Sequence, residues 1–258
     1  MAANEAGTGG SANAAEKLLR TLDALPDNPR LADLARATEL SKSTVHRLLR
    51  SMVDEGFASI DEVSGDYTPG PRLLALAGRT LNVVDTSIGA EPTLRRVLQE
   101  TGATVHLAVR AGDEALYIRK MEGDKPYRMV SRVGMTIPLH CTGIGKAMLA
   151  GMSEEEVREV AARTGLVRRT PATITDADSL VTAVGEVAER GWATDDEENE
   201  VGIVCVGAGV RDHTGRVVAA LSVSQLKTDP EAAPFDELGP IVAAAAKEIS
   251  KAFGSPGS

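Results

Sequence analysis

Hydroxyl-bearing and positively charged side chains are concentrated in one short stretch, which runs from Ser41 to Met52 and reads SKSTVHRLLRSM. Serine and threonine hydroxyls can hydrogen-bond the edges of bases, an arginine can hold guanine through two hydrogen bonds, and both cations bind phosphates. This combination is typical of a surface that contacts nucleic acid. An ordinary solvated helix could have the same composition, so the neighbouring elements must decide between the two interpretations. The candidate DNA-contacting residues are Lys42, Ser43, Thr44, His46, Arg47 and Arg50.

Apolar residues recur at helical spacing within the same stretch. Val45, Leu49 and Met52, with Leu48 beside them, form one side of a helix, which we expect to be buried. Ser41 precedes the first helical residue and is a good N-cap. The sequence therefore predicts a helix that buries its leucines and exposes its cations.

The elements around this helix follow the order found in a class of DNA-binding domains. Helices are predicted at 15–25 and 31–38, and two short strands around a Ser-Gly turn follow at 57–70. Helix, short helix, turn, longer helix and hairpin is the order of a winged helix-turn-helix. In this fold, the second helix of the helix-turn-helix motif enters the major groove with its N-terminal residues toward the bases. We predict such a domain over residues 14–71.

A second stretch with chemical potential reads LHCTGIGKAML at 139–149. Its turn of small residues enters a helix, where the backbone N–H groups of Gly143, Ile144 and Gly145 lack partners within the helix and would suit a ligand carboxylate. The alternative is a tight turn whose glycines only allow close packing. The stretch therefore predicts either a site for a small acid or a packing device.

His140 and Cys141 raise two competing hypotheses. A cysteine–histidine pair can act in acyl transfer, but adjacent residues of an extended segment point to opposite sides, which disfavours an enzyme. His140, Cys141 and Cys205 could instead supply zinc ligands to a metal sensor, with Asp195 or Glu198 as a fourth. Their scatter along the chain, without a Cys-x-x-Cys pattern, argues against that site. We expect no catalytic residues, no metal and no cofactor.

Composition limits the classes to which the chain can belong. Its 258 residues suit two compact domains, and a hydrophobic content of 43% supports ordinary cores. A formal charge of −9 argues against broad, non-specific binding to nucleic acid but allows one local basic face. The two cysteines fit a reducing compartment, and no stretch resembles a secretion signal or a membrane span. We expect a cytoplasmic protein that does not bind membranes.

Beyond residue 88 the predicted helices and strands are interleaved, and several neighbouring strands are joined by short turns. Short turns join antiparallel strands, whereas parallel strands need long crossovers. Ser153 and Glu156 form a capping-box pattern at the start of one helix. We predict the α+β class, with an N-terminal winged helix-turn-helix joined by a helix to an antiparallel-sheet domain with flanking helices. The other predicted boundaries are disordered tails at 1–13 and 255–258, a linker helix at 72–88 and a C-terminal domain at 89–254.

The linker helix carries an apolar stripe with two possible partners. The stripe contains Leu73, Leu74, Ala77, Leu81 and Val84. It could pair with a second copy of the chain, or it could pack against its own N-terminal domain. Periodicity alone does not distinguish these arrangements.

Three separated stretches, in this order, resemble the IclR family of bacterial transcriptional regulators. They are LADLARATELSKSTVHRLLRSMVDEGFASIDEVSGDYTPGPRLLALA at 31–77, IPLHCTGIGKAMLAGMSEEE at 137–156 and RGWATDDEENEVGIVCVGAGVRDHTGRVVAALSVS at 190–224. One residue departs from the pattern, because Glu39 stands where the family usually has glycine in the turn of the helix-turn-helix. A non-glycine residue there would cost turn stability if the position needs a positive φ, and it places an acid near the DNA.

The resemblance implies a C-terminal sensor domain of GAF/PAS-like fold that binds a small organic acid. Ser222 and Ser224 alternate along one strand, so that their side chains share a face. Met129 and Ile137 would supply apolar walls. The stretch YRMVSRVGMTIPLHCTGIGKA is most similar to branches that handle sugar acids and keto acids, such as the 2-keto-3-deoxygluconate repressor. The implied effector-binding residues are Met129, Ile137, Gly143, Ile144, Asp195, Glu198, Cys205, Ser222 and Ser224.

The expected function is therefore that of a sequence-specific DNA-binding transcriptional regulator whose affinity for its operator is changed by a small organic acid. The resemblance also implies a homodimer, often assembled into a dimer of dimers, with double-stranded operator DNA as partner. Some members of the family repress and others activate, and nothing in the sequence decides between them. A metal-sensing regulator that uses His140, Cys141 and Cys205, or an enzyme that processes a small acid, are the alternatives.

Overall fold

The chain forms two compact units that meet between Val83 and Val84. The structure, a computed structural model, describes residues 13–252 and residue 255, with the backbone alone for residues 80–88. Of the two predicted tails, only Asn13 and Ser255 fall within the described residues. No described helix is both long enough and apolar enough to cross a membrane.

The N-terminal unit contains three helices followed by a two-stranded antiparallel hairpin, in the predicted order. The strand pair runs from Ala58 opposite Pro69 to Ile60 opposite Tyr67. The winged helix-turn-helix and the α+β class are thereby confirmed. The elements are α1 (Ala14–Ala24), α2 (Leu31–Ala37), α3 (Lys42–Asp54), β1 (Ala58–Ile60) and β2 (Tyr67–Pro69).

The helix α3 is held at its start by the predicted cap and along its length by a small core. The Ser41 hydroxyl accepts a hydrogen bond from the Thr44 backbone N–H at 3.2 Å, which confirms the N-cap. Val45 and Leu49 are fully buried against Leu34 of α2 and Leu25. This packing orients α3, because burying its apolar side leaves the cationic side outward.

Glu39, in the turn between α2 and α3, adopts a φ of 57°. This left-handed conformation favours glycine and costs another residue about 1–2 kcal/mol. The turn is kept by backbone hydrogen bonds from Glu39 N–H to Arg36 O and from Leu40 N–H to Ala35 O, at 3.3 and 3.2 Å. The substitution of glutamate for the family's glycine is therefore tolerated at a cost in free energy of folding.

A single helix, α4 (Pro71–Ile88), runs through the boundary between the two units. Within its predicted apolar stripe, Leu74 is 74% exposed and Ala77 is also exposed. The side chains of Leu81 and Val84 lie outside the described residues. Pairing of this stripe with a second copy stays a prediction.

The C-terminal unit is built on a six-stranded, fully antiparallel sheet in the order β5–β4–β3–β8–β7–β6. Five helices accompany it, and the antiparallel sheet with flanking helices is confirmed. The strands are β3 (Thr104–Ala111), β4 (Glu114–Met121), β5 (Thr136–Pro138), β6 (Ala193–Asp196), β7 (Ile203–Arg211) and β8 (Val217–Leu226). The helices are α5 (Glu91–Thr101), α6 (Gly143–Leu149), α7 (Glu154–Thr164), α8 (Ala177–Arg190) and α9 (Phe235–Ala252).

Helices cover both faces of this sheet. On one face α6 packs against β6, β7 and β8 with α8 behind it, and the core there includes Ala108 and Ala220. Leu107 and Leu221 are the strand neighbours of Ala108 and Ala220, so their side chains point to the other face. On that face α5 and α9 pack together against β3, β7 and β8. The predicted capping box is confirmed at the start of α7, where Ser153 and Glu156 bond each other's backbone N–H groups.

The segment 128–139 does not form one continuous extended stretch. Only Thr136–Pro138 pairs as a strand. Ahead of it, the Lys120 ammonium group donates hydrogen bonds to the Met129 and Ser131 carbonyl oxygens, each at 2.7 Å. Gly134, in the same segment, has a φ of 88°. These carbonyls bind a side chain instead of a neighbouring strand, so the segment forms a loop.

Candidate functional site

The predicted DNA-contacting residues occupy the outward side of α3. Lys42, Ser43, His46, Arg47 and Arg50 are exposed, whereas Thr44 is half-buried. The hydroxyls of both Ser43 and Thr44 are hydrogen-bonded to the Ser41 hydroxyl, at 3.0 and 2.8 Å. In the unbound protein these two hydroxyls therefore belong to the cap of α3.

The outward side of α3 is electrostatically uniform. Residues 41–53 contain no aspartate or glutamate, although the whole chain carries a formal charge of −9. The N-terminal end of the helix adds its own partial positive charge. This side is therefore the part of the N-terminal unit best suited to approach a phosphate backbone.

A cavity of about 310 Å³ lies in the C-terminal unit between the sheet, the start of α6 and the loop that precedes β5. Eight of the nine predicted effector-binding residues line it, although they are separated by almost a hundred residues in sequence. These eight are Met129, Ile137, Gly143, Ile144, Asp195, Cys205, Ser222 and Ser224.

Strand register places the polar residues of the cavity in two adjacent rows across the sheet. In the first row Asp195 of β6 lies opposite Cys205 of β7, which lies opposite Ser224 of β8. In the second row, Ser222 of β8 lies opposite His106 of β3. Because side chains alternate along a strand, both rows face the same side of the sheet.

The first row contains acidic groups whose pKa values are raised by burial. Asp195 is 2% exposed, and burial, with the Glu198 carboxylate adding to it, raises its pKa to about 7. Its Oδ1 accepts the Glu198 backbone N–H at 2.8 Å. The Cys205 thiol donates to the Ser224 hydroxyl at 3.2 Å, and burial raises its pKa well above the ordinary value.

Glu198 does not line this cavity, contrary to the prediction. Its carboxylate forms a buried ion pair with Lys146 of α6. Its backbone carbonyl accepts the Thr173 hydroxyl at 2.6 Å. An unpaired buried ammonium would be costly, so Lys146 draws the glutamate away from the cavity. One carboxylate oxygen, Oε2, is buried without a hydrogen-bond partner among the described residues.

The small-residue turn is a packing device, which was one of the two interpretations that the sequence allowed. A Cβ on Gly207 of β7 would overlap the backbone of Gly143, and one on Gly145 would overlap that of Leu139. These glycines therefore let α6 lie directly on the sheet. The Gly145 N–H donates to the Thr142 hydroxyl at 3.0 Å, so the expectation that it is free for a ligand is wrong. Gly143 and Ile144 are themselves lining residues of the cavity.

Several lining residues escaped the sequence reasoning. The loop before β5 contributes several of them, since it folds over the cavity instead of joining the sheet. A histidine among the apolar residues of β3 was the one available signal. The additional residues include His106, Tyr117, Tyr127, Arg128, Ser131, Asn199 and Glu200.

The residues of the two competing hypotheses have separate structural roles. His140 Nε2 lies 3.2 Å from the Val167 carbonyl oxygen, and burial lowers the pKa of this imidazole. Burial raises the pKa of the Cys141 thiol to about 12, so it is a poor nucleophile at neutral pH. Among residues 13–252, no group of three or more histidine, cysteine, aspartate or glutamate side chains is placed to hold a metal ion.

Comparisons with known proteins cover nearly the whole chain. Residues 14–62 match the family model of the IclR helix-turn-helix domain, and residues 78–251 match that of the C-terminal domain of the bacterial transcriptional regulator IclR. The HTH-type transcriptional regulator XynR of Escherichia coli is 33% identical, over 93% of this chain and 97% of XynR. The HTH-type transcriptional repressor AllR of the same organism is 31% identical, over 92% of this chain and 88% of AllR.

Solved structures of IclR homologs have the same fold as this chain. An IclR homolog from Microbacterium hydrocarbonoxydans, solved in complex with 4-hydroxybenzoate, superimposes with a TM-score of 0.80 at 25% identity, covering 94% of this chain and 99% of that one. These relatives are regulators and not enzymes. The chain belongs to the IclR family of bacterial transcriptional regulators and is a DNA-binding regulator with an effector-binding C-terminal domain.

Proposed function

We propose that a small organic acid, of the sugar-acid or keto-acid type, binds in the 310 Å³ cavity and changes the affinity of α3 for operator DNA. The observation that carries this proposal is the convergence of Asp195, Cys205, Ser222 and Ser224 with the start of α6 around one cavity. A regulator needs a site where a metabolite can be bound by groups that distinguish it from others, and this cavity combines several polar groups with apolar walls.

The cavity offers a carboxylate several hydrogen-bond donors. They are the Ser222 and Ser224 hydroxyls and a protonated Asp195, beside Gly143 and Ile144 at the start of α6. Met129 and Ile137 contribute apolar surface on the other walls. The IclR homolog that was solved with 4-hydroxybenzoate supports an acid as ligand. The abundance of hydroxyl groups in the cavity supports a hydroxylated acid over a purely hydrocarbon one.

A thermal-shift screen of sugar acids, keto acids and aromatic acids tests the ligand class, and Ser222→Ala tests the site. Loss of one hydrogen bond to a charged ligand should raise the dissociation constant of the acid about tenfold. The DNA affinity of the ligand-free protein should stay unchanged. Calorimetry measures the first quantity and fluorescence anisotropy the second.

Thr182→Ala is the matched control for Ser222→Ala, because it removes a hydroxyl from the exposed side of α8. It should leave both affinities unchanged. Normal acid binding by Ser222→Ala would exclude Ser222 from the site. Failure of every acid in the screen to bind would refute the proposed effector class.

On the DNA side, we assign the reading of bases chiefly to Arg47, with Lys42, His46 and Arg50 as further contacts. An arginine that holds guanine through two hydrogen bonds contributes about 1–3 kcal/mol of discrimination. Arg47→Ala should therefore lower the ratio of operator affinity to random-duplex affinity about tenfold or more. The melting temperature should hardly change, because the side chain is exposed.

The control for Arg47→Ala is Arg158→Ala, which removes the same charge from the exposed surface of the C-terminal unit. Anisotropy titrations with operator and random duplex at one salt concentration give both ratios. An unchanged ratio for Arg47→Ala would exclude Arg47 from base reading. Ser43→Ala and Thr44→Ala should have smaller effects, since their hydroxyls must first leave Ser41.

The assembly that binds the operator is, in this proposal, a homodimer that can pair into a dimer of dimers. The apolar stripe predicted for α4, in which Leu74 is exposed, would form a contact between copies in this proposal. A chain that binds operator DNA must act in the compartment that holds the DNA, which in a bacterium is the cytoplasm.

A further inference from the structure

The second polar row of the cavity contains a histidine whose hydrogen bonding is incomplete. His106 of β3 is 2% exposed and lies on the cavity wall. Its Nε2 is 2.8 Å from the Ser131 hydroxyl. Its Nδ1 is buried without a partner among the described residues. Buried polar groups in native proteins are almost always paired, so an unpaired ring nitrogen beside a cavity points to a missing partner.

The ring of His106 is held in place by two neighbours. Ser131 contacts one ring nitrogen, and the Lys120 ammonium group anchors Ser131 by donating a 2.7 Å hydrogen bond to its carbonyl oxygen. The Tyr117 ring stacks at a centroid distance of 4.6 Å and an angle of 31°. The imidazole is neutral at physiological pH, since burial and the nearby Lys120 lower its pKa to about 3. A fixed neutral imidazole can discriminate between ligand groups without a change of charge.

The position of His106 defines a distance within the ligand. Ser222, its cross-strand neighbour, is two residues along β8 from Ser224, which belongs to the row of Asp195 and Cys205. Two residues of a strand span about 6–7 Å. A benzene ring, or a chain of about four carbon atoms, bridges that distance.

The size of the cavity agrees with such a ligand. Its volume of about 310 Å³ equals the volume that about ten molecules occupy in liquid water. A ligand of that size has roughly ten non-hydrogen atoms. A two- or three-carbon acid would occupy only half of it. A ligand that fills the cavity from the first row therefore reaches the second.

We propose that His106, positioned by Ser131, is a second recognition residue that binds a hydroxyl group of the effector, so that the site selects hydroxy acids of about ten non-hydrogen atoms over acids without a hydroxyl. This inference rests on the proposed effector function of the cavity and adds the ligand class to it. A hydroxyl suits His106 better than other groups, because it both donates and accepts. It can satisfy Nδ1 whichever of the two tautomers the bond to Ser131 selects.

The first experiment measures selectivity in the full-length protein. Dissociation constants are determined by calorimetry for gluconate against hexanoate and for 4-hydroxybenzoate against benzoate, together with pyruvate as a short acid. The tightest binder found in any wider screen is compared with its own analogue that lacks the hydroxyl. We expect the hydroxylated acid of each pair to bind at least about tenfold more tightly, because an acid without the hydroxyl leaves His106 Nδ1 unpaired in the complex.

The second experiment asks whether the selectivity comes from His106. In His106→Leu, the affinity for the hydroxylated acid should fall about tenfold or more, whereas that for the hydroxyl-free analogue should stay within about threefold. His106→Gln, which keeps hydrogen-bonding atoms at this position, should retain part of the preference. Ligand-free His106→Leu should melt no lower than the wild type, because leucine removes an unpaired polar atom from the interior.

Each outcome distinguishes the inference from the broader proposal. If His106 served only to hold the loop through Ser131, then His106→Leu and Ser131→Ala would weaken both members of a pair alike, and the inference would be wrong. A tightest binder without a hydroxyl, or a preference that persists in His106→Leu, would also overturn it and leave the acid site standing. Failure of all acids to bind would overturn the proposed effector function itself.

Discussion

Asp195 is a buried carboxyl group in a cavity that we propose holds a second carboxylate. Two carboxylates close together in a low-dielectric site cannot both be ionised at low cost. The ammonium group that acts on Asp195, that of Lys146, is already paired with Glu198. Cys205 and Tyr117, which face Asp195, are neutral because burial raises both of their pKa values. His106 is neutral as well. Among the side chains of the two polar rows, Asp195 is therefore the one whose protonation should control how well an acid binds.

From this follows a pH dependence of acid binding. The pKa of Asp195 in the free protein is about 7, and a bound carboxylate raises it further, so the acid binds the protonated form. Affinity should be constant below about pH 6 and fall about tenfold per pH unit above about pH 8. Binding at pH 8 should take up close to one proton, which calorimetry in buffers of different ionisation enthalpy measures.

Asp195→Asn provides the control for this prediction. The amide oxygen can still accept the Glu198 N–H, and the amide group cannot ionise. Binding by this variant should be independent of pH between 6 and 9. An equally steep decline in Asp195→Asn would show that another group titrates.

At the level of single residues, the sequence was informative where a motif carried the chemistry. The eight cavity residues that it named belong to stretches that resemble a family. Glu198 was misplaced because its partner Lys146 lies 52 residues away and only the folded chain brings the two together. His106 was missed because a lone histidine among strand residues is usually part of a core.

Among the elements, α6 depends on contacts that only glycine allows. Gly207→Ala would place a Cβ against the Gly143 backbone and push the start of α6 away from β7. We expect the free energy of unfolding to fall by about 1–3 kcal/mol. Acid binding should weaken as well, since Gly143 and Ile144 line the cavity. Urea denaturation and calorimetry measure the two effects.

Gly185→Ala is the counterpart within an exposed helix. A Cβ at Gly185 in α8 meets open space, and alanine stabilises a helix interior by about 0.5–1 kcal/mol relative to glycine. This variant should therefore be slightly more stable and bind acid normally. Equal stability of Gly207→Ala and the wild type would mean that α6 and β7 can move apart without cost.

Element types followed from periodicity wherever an element buries one face. The helices α1 to α3 have regular apolar spacing and agree with the prediction. The segment 128–139 has comparable hydrophobicity but forms mostly loop, because its Met129 and Ser131 carbonyls bind Lys120. The side chain that replaces the strand-to-strand hydrogen bonds comes from another strand, so the local hydrophobic pattern of the segment cannot reveal it.

For the whole molecule, regulation requires that the two units communicate, and α4 is the continuous element between them. An effector can change DNA affinity only by the difference between its affinities for two conformational states, typically about 1–3 kcal/mol. A continuous helix can transmit such a difference because its hydrogen-bonded backbone moves as a unit.

Gly78→Pro tests this role of α4. Proline within a helix removes a backbone hydrogen bond and kinks the helix at a cost of about 3 kcal/mol. We expect the acid and the operator each to bind with nearly normal affinity, while the effect of one on the other falls below about 1 kcal/mol. Operator affinity is measured by anisotropy with and without saturating acid.

Gly78→Ala accompanies it, since Gly78 is exposed and a Cβ there meets open space. Alanine keeps α4 continuous, so the coupling between acid and operator should equal that of the wild type. Equal coupling in the proline variant would exclude α4 as the transmitter.

The separation of charge between α3 and the rest of the chain also determines how the regulator searches a genome. If Arg47 holds a base, Lys42 and Arg50 are the permanent cations of each α3 that remain for phosphates, so the logarithm of the binding constant should fall with the logarithm of salt concentration by about 2 per copy. The acidic remainder repels DNA wherever α3 is not seated. Residence on unrelated sequence is therefore brief, and the protein exchanges quickly between sites until it reaches its own.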